Sequence, residues 1–352
     1  MSRNIHNSRE VMRPMGLLSL AAVAAIIVGA LWSPATRAAA RIHIVPRFTA
    51  GQVLRYQVET RTSTSGKATS PIADPEAATK FSETATLIVR LDVLDVKPNP
   101  DGSTARVRLR ATYEKSDAVL ESDAYDPSAA ALQDQYEKLQ GRAFQFTIEP
   151  DGKVTNVSGI DDLLANPAAS GVAQGWMDGV ASAAKFPAEG IAIGQKWSSE
   201  RLIDNAPLAK LKFRTESTYE RDEQCRSDGM DAHASSVPPD TSMGVCAVIL
   251  TQFKIFRPGF GGPDDDATPE SYVRNHLRTS GTWTGSGESL DDISLATGMI
   301  VRSTQTSHQD IDFAITSASS NSRMQYKGHV DSQSLISLLP NTPENAAETP
   351  AK

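Results

Sequence analysis

The chain is short of the residues that most reaction chemistry needs. It holds two Cys and six His in 352 residues. No His pair has the H-E-x-x-H spacing of a helical zinc site. No G-x-S-x-G elbow occurs. No Walker sequence or G-x-G-x-x-G follows a strand pattern. No nucleophile–base set is therefore visible, which disfavours the enzyme reading and leaves no cofactor to assign. Positive charge is also scarce. Residues 1–40 carry four Arg against one Glu, a net +3; the whole chain carries −7, so the remainder carries −10. A body of that sign lacks the basic face that meets phosphate, which excludes nucleic acid as a partner. Aromatics are 6 % of the chain, enough to fill a β core. Gly and Pro, 23 and 20 in number, are at ordinary levels, so neither wholesale disorder nor a collagen-like repeat fits.

One apolar run stands out. Gly16 to Trp32 is free of charge, preceded by Arg3, Arg9 and Arg13 and followed by Ser33-Pro34 and Ala38-Ala39-Ala40. A positive start, an apolar middle and an A-x-A triplet are the parts of a secretory signal, with cleavage expected after Ala40. The competing reading of residues 1–40 is an uncleaved N-terminal membrane anchor, at the short limit for a transmembrane helix. Both readings place the body outside the cytoplasm, in the periplasm or cell envelope. The two cysteines agree. Cys225 and Cys246 bracket a polar stretch at expected strand ends, so an intramolecular disulfide is expected, worth about 3 kcal/mol for a loop of this size. Two free thiols is the alternative; a metal site would need two further ligands, and His233 is the one local candidate.

Period-two alternation runs through the body. Strands are expected at Val53–Thr64, Phe81–Val96, Ala105–Tyr113, Ala143–Ile148, Lys153–Val157, Pro207–Arg221, Val245–Phe256, Tyr272–Gly285, Met299–Gln305, Ile311–Thr316 and Ser322–Val330. Helical inserts are expected at Ala129–Leu139, stopped by Gly141, and at Ile160–Ala184, where Val172, Trp176, Val180 and Ala183 share a stripe. Ser65–Thr79 and Arg257–Pro269 read as loops. The stretch from Gly281 to Thr306 reads as strand, polar turn, strand. The expected fold is mainly β (α+β): a large curved antiparallel sheet or half-barrel with two short helical inserts. The expected organisation is a single β-rich domain at 41–331, with two similar halves near 45–195 and 196–331, and a disordered tail at 332–352.

Candidate chemistry is thin. Asp161-Asp162 and Asp291-Asp292 look like a helix first turn and a strand turn rather than a glycosidase pair. Asp264-Asp265-Asp266 reads as a solvated acidic loop, lacking the ligand spacing of an EF-hand, so no metal is assigned. His276 and His308 fall on expected strands, where each is a surface or half-buried residue. Trp176, Phe186, Trp197, Trp283, Phe144 and Phe146 could line a cavity, although a filled core is the simpler use for them.

The segments Phe48-Thr49-Ala50-Gly51-Gln52-Val53-Leu54-Arg55-Tyr56, Pro187 with Ile193-Gly194-Gln195-Lys196-Trp197, and the Gly-rich pair from Gly281 to Ser303 resemble a group of uncharacterised exported bacterial β-rich proteins. Those proteins are similar in outline to LolA/LolB-type lipoprotein-carrier half-barrels. The resemblance implies a sheet that binds a lipid, a lipoprotein or another apolar ligand, with an envelope protein as a further partner, and it implies no catalytic residue. Trp176, Val172, Val180 and Phe186 are the candidate ligand-facing or lid residues. A structural or protein-interaction module with a filled core is the alternative, and a carboxylate-dependent hydrolase the last.

Overall fold

The computed structural model describes residues 41–69, 79–98, 106–124, 127–159, 177, 180, 186–203, 206–226, 244–259, 266–317 and 322–340. Residues 1–40 lie outside this set, and with them the expected signal or anchor. Among the described residues no helix is long and apolar enough to cross a membrane.

Eleven strands follow one another as an antiparallel meander: β1 (Val53–Thr69), β2 (Lys80–Lys97), β3 (Arg106–Ser122), β4 (Ala143–Ile148), β5 (Val154–Ser158), β6 (Lys196–Leu202), β7 (Lys212–Gln224), β8 (Val245–Phe256), β9 (Leu277–Ser294), β10 (Ile300–Ser317) and β11 (Arg323–Leu338). They form a single open, curved sheet. Its order is β5-β4-β3-β2-β1-β11-β10-β9-β8-β7-β6, so the first and last strands meet in the middle and each half runs outward to a short edge strand. Two helices are described, α1 (Pro127–Leu139) and α2 (Glu270–Arg274).

The alternation seen in the sequence is the alternation of faces. Leu54, Tyr56 and Val58 of β1, the odd-numbered residues Leu87–Val93 of β2 and Val107–Tyr113 of β3 are all 7 % exposed or less. With Phe144, Phe146 and Ile148 of β4 they form one core cluster, capped by Tyr136 and Leu139 of α1. The Tyr136 hydroxyl donates to Glu83 Oε1 at 2.5 Å, tying α1 to β2. Gly141 ends the α1 segment at φ +78°, its N–H donating to Tyr113 O; a side chain there would pay the left-handed penalty. A second cluster gathers Ile44, Ile191, Tyr219, Ile249, Ile293 and Ile300 on the same face of the other half. The Tyr56 hydroxyl donates to Ile300 O at 3.1 Å and so joins β1 to β10.

Several expectations are corrected. Gly281 to Thr306 is strand, turn, strand, but its turn lies at 295–298 rather than among the glycines and serines: β9 runs unbroken through Gly285, Gly287 and Ser289, because β8 and β10 pair with it on both sides and supply the ladder its own composition does not favour. Met299–Gln305 and Ile311–Thr316 are one strand for the same reason. Tyr272–Arg274 is helical, and the strand begins at Leu277. Residues 332–338 belong to β11 rather than to a tail, held by pairing with both β1 and β10. Ser65–Thr69 extends β1 into the expected loop. Lys196–Leu202, which falls in none of the expected strands, is the edge strand β6. Of the expected second helix, only Met177 and Val180 are described, both with helical backbone.

Candidate ligand-binding cleft

The two halves treat their buried face differently. Under β1–β3 the space is filled: the void between the sheet and Val180 is about 10 Å³, bounded by Tyr56, Val58, Val89, Leu91, Ile300 and Ile336. Over β6–β9 the same face carries a cleft of about 410 Å³. Strand parity explains its lining. Trp197, Ser199 and Arg201 of β6, Phe213, Thr215 and Ser217 of β7, Ile249 and Thr251 of β8, and Ser289, Asp291 and Ile293 of β9 all project inward. Phe186 closes one end, packed edge-to-face on Trp197 at 5.8 Å between centroids and 63° between planes.

The register sets two rows of unlike character side by side. One row crosses the sheet as Ser217, Thr251, Ser289, Gln305, Ser334 and Thr60, polar throughout. The neighbouring row reads Tyr219, Ile249, Asp291, Ser303, Ile336 and Val58, apolar apart from its centre. Ser217 and Thr251 hydroxyls lie 2.8 Å apart. Ser303 Oγ donates to Asp291 Oδ1 at 2.5 Å and Ser289 Oγ to Oδ2 at 3.4 Å. Burial raises the Asp291 carboxyl above its ordinary value, and those two hydroxyls oppose the shift. The rim differs again: the Arg201 guanidinium lies 5.0 Å over the Phe213 ring, and Phe213 stacks on Phe253 at 5.3 Å. Glu200 at the rim accepts from Lys212 and Arg214, which hold its carboxyl below the usual range.

The expected site residues divide between these places. Cys225 and Cys246 are joined as expected, with Cα atoms 5.0 Å apart and both residues fully buried against Val301. Phe186 lines the cleft. Val180 does not: it is half-buried and packs on the filled core of the other half. Trp176 and Val172 lie outside the described residues. Met177, which the apolar stripe omitted, is 1 % exposed in the first core cluster. Phe144 and Phe146 are core, and Trp283 donates from its indole to Gln309 Oε1 at 3.0 Å. Asp291 is the cleft residue that the sequence pattern conceals. Read as part of a strand turn it is a solvated acid; placed by register in β9 it faces inward, while Asp292 faces the other way and is 4 % exposed. Two carboxylates on opposite faces of a sheet cannot share a substrate, which removes them as a catalytic pair.

No family model matches this chain, and no curated protein matches it. Among solved structures it is similar to one described as "lipid-protein interactions in lipovitellin", at a TM-score of 0.38 and 9 % identity. The likeness covers 83 % of this chain and 25 % of that one, so the chain spans about a quarter of the structure it matches.

Proposed function

We propose that this is an exported, non-enzymatic binding protein of the cell envelope that seats the apolar part of a lipid, a lipoprotein's acyl chain or another amphiphile in the β6–β9 cleft. The cleft itself carries the reading: at about 410 Å³ it falls in the size range of small-molecule sites, and its walls combine aromatic and aliphatic side chains with a few convergent polar groups. Phe186, Trp197, Ile249 and Ile293 offer the apolar contact; the Ser217–Thr251 pair and Asp291 offer hydrogen bonds to a polar head. The disulfide fits an oxidising compartment outside the cytoplasm, in keeping with the expected signal. A filled-core interaction module is the second reading, and the packed β1–β3 half favours it.

The test uses an environment-sensitive naphthalene dye as an apolar probe. Thr251→Trp, which fills the cleft from its floor, is expected to weaken dye binding about tenfold or more, a loss of about 1.4 kcal/mol. Val180→Ala, on the other half, is expected to leave binding unchanged. Equal binding by the wild type and a folded Thr251→Trp variant leaves the filled-core module standing. Native mass spectrometry of protein taken from its own envelope would identify the bound molecule.

A further inference from the structure

The face of the sheet opposite the cleft carries a second constellation. β10 and β11 pair so that His308 stands opposite Asp331 and Asp310 opposite His329. The four side chains form a checkerboard on two adjacent strands. His308 Nδ1 contacts Asp331 Oδ1; His329 Nε2 lies 3.0 Å from Asp331 Oδ2; His329 Nδ1 lies 2.9 Å from Asp310 Oδ1. The two imidazoles are nearly parallel, 6.5 Å between centroids and 20° between planes. One ligand atom from each of His308, His329 and Asp331 lies within 4.8 Å of the others.

We propose that His308, His329 and Asp331 bind a divalent transition-metal ion, with zinc as the representative, and that Asp310 positions His329. The chemistry of the donor set points there. With His329 Nδ1–H donating to Asp310 Oδ1, the ring presents Nε2 to Asp331. This is the carboxylate–histidine–metal arrangement, in which an outer carboxylate fixes the tautomer and raises the ligand's basicity. His329 Nε2 lies 3.0 Å from Asp331 Oδ2; a proton bridges the pair when the ring is protonated, and a metal ion can take that proton's place when the ring is neutral. Ligand atoms on a tetrahedral zinc with bonds near 2.0–2.1 Å sit roughly 3.3 Å from one another, so the site needs only small side-chain rotations to close. Two nitrogens and one oxygen suit zinc, copper or nickel better than calcium or magnesium. The flanking strand positions are Ser286 and Thr284 on β9 and Ser63 and Ser65 on β1; Arg61 and Lys327 stand one pair further along the same face, Lys327 against Asp312. The side chains of His308 and Asp331 are 66 % and 45 % exposed. An ion held by three protein ligands here keeps a fourth position open to solvent, as catalytic or bridging sites do and closed structural sites do not.

Calorimetric titration of the untagged full chain with zinc chloride alone tests the proposal. One ion per chain is expected. His308→Ala and His329→Ala are each expected to weaken binding at least about tenfold, and Asp310→Asn, which removes no ligand, by about 10- to 100-fold. Ser286→Ala is expected to bind as the wild type does. The exposed positions allow all four variants to keep the wild-type circular dichroism and melting temperature. Cobalt in place of zinc should give the visible absorption of a four-coordinate ion in the wild type and lose it in His329→Ala. Failure of the wild type to bind zinc overturns the proposal. So does binding that survives the joint replacement of His308 and His329 by Ala.

Discussion

Asp291 and Asp292 are covalent neighbours with different physics. The first looks into the cleft with two hydroxyl donors; the second is buried on the other face with Oδ1 unpartnered among the described residues. Burial, reinforced by the charge of Glu223 and opposed by Arg302, pushes the Asp292 carboxyl up to about 6. An acid whose folded value is raised is favoured in its protonated form by folding. Its contribution is present below the ordinary carboxylate range and lost as pH rises through about 6. Asp292→Asn, which cannot ionise, should match the wild type in urea unfolding at about pH 4 and exceed it by up to roughly 3 kcal/mol at about pH 8. A difference that does not change with pH would assign the Asp292 carboxyl an ordinary value. Carboxylates held low elsewhere, such as Asp123, Glu149 and Asp266, act in the opposite sense in both proteins and cancel from the comparison.

At the scale of elements, β9 shows how a strand can be built from residues that do not favour one. Its Gly287 is indispensable for a packing reason. A Cβ there would lie 2.2 Å from Thr306 O and 2.3 Å from Phe253 Cζ. The Phe253 ring therefore lies across the glycine and stacks on Phe213, which forms part of the cleft wall. Gly287→Ala must move both the β10 backbone and that ring. The expected cost is about 1–3 kcal/mol, the range for overpacking a filled site. Weaker dye binding should accompany it, because Phe213 loses its support. A Gly287→Ala protein with wild-type melting temperature and binding would show that strand and ring relax freely. The buried disulfide between Cys225 and Cys246 does similar work at the β7–β8 end, where it closes a polar stretch of chain whose loop entropy is worth about 3 kcal/mol.

On the scale of the whole molecule, the central seam is the pairing of β1 with β11. It brings residues nearly the length of the domain apart into register, from Tyr56↔Leu338 to Thr69↔Gln325. Leu335 is 1 % exposed, and Ile336 and Leu338 pack on the first core cluster. A chain ending at residue 331 loses all three, together with the pairing of β1 from Tyr56 to Thr62. It is expected to unfold in both halves rather than in one, because the buried end of the central seam is then lost and only the pairing of Ser63 to Thr69 is left. A chain ending at residue 340 keeps every described strand and serves as the reference. Limited proteolysis of the two proteins would separate the outcomes: a stable β6–β10 fragment from the shorter chain would mean that the halves fold independently.

Strand class, most strand positions, the α1 helix and the cysteine pair were legible in the sequence alone, because each rests on local alternation, turn residues or a short separation. Leu87, Val89 and Leu91 announce a buried face without reference to any partner, and Pro127–Leu139 carries its own helical spacing. What the sequence could not determine depends on which strands lie side by side. Glycines and serines between Gly281 and Ser289 carry a turn signal that only pairing on both edges overrides. Phe186 and Trp197 were visible as aromatics, yet their place in a cleft rather than a core follows from the β6–β7 edge standing beyond the filled half. His308 and His329, twenty-one positions apart, carry no metal-site spacing in the chain. The β10–β11 register makes them diagonal neighbours, and it sets Asp310 and Asp331 at the other two corners. Side-chain chemistry is written residue by residue, but a site of this kind requires a register, and the register is chosen by the burial of the opposite face of the sheet.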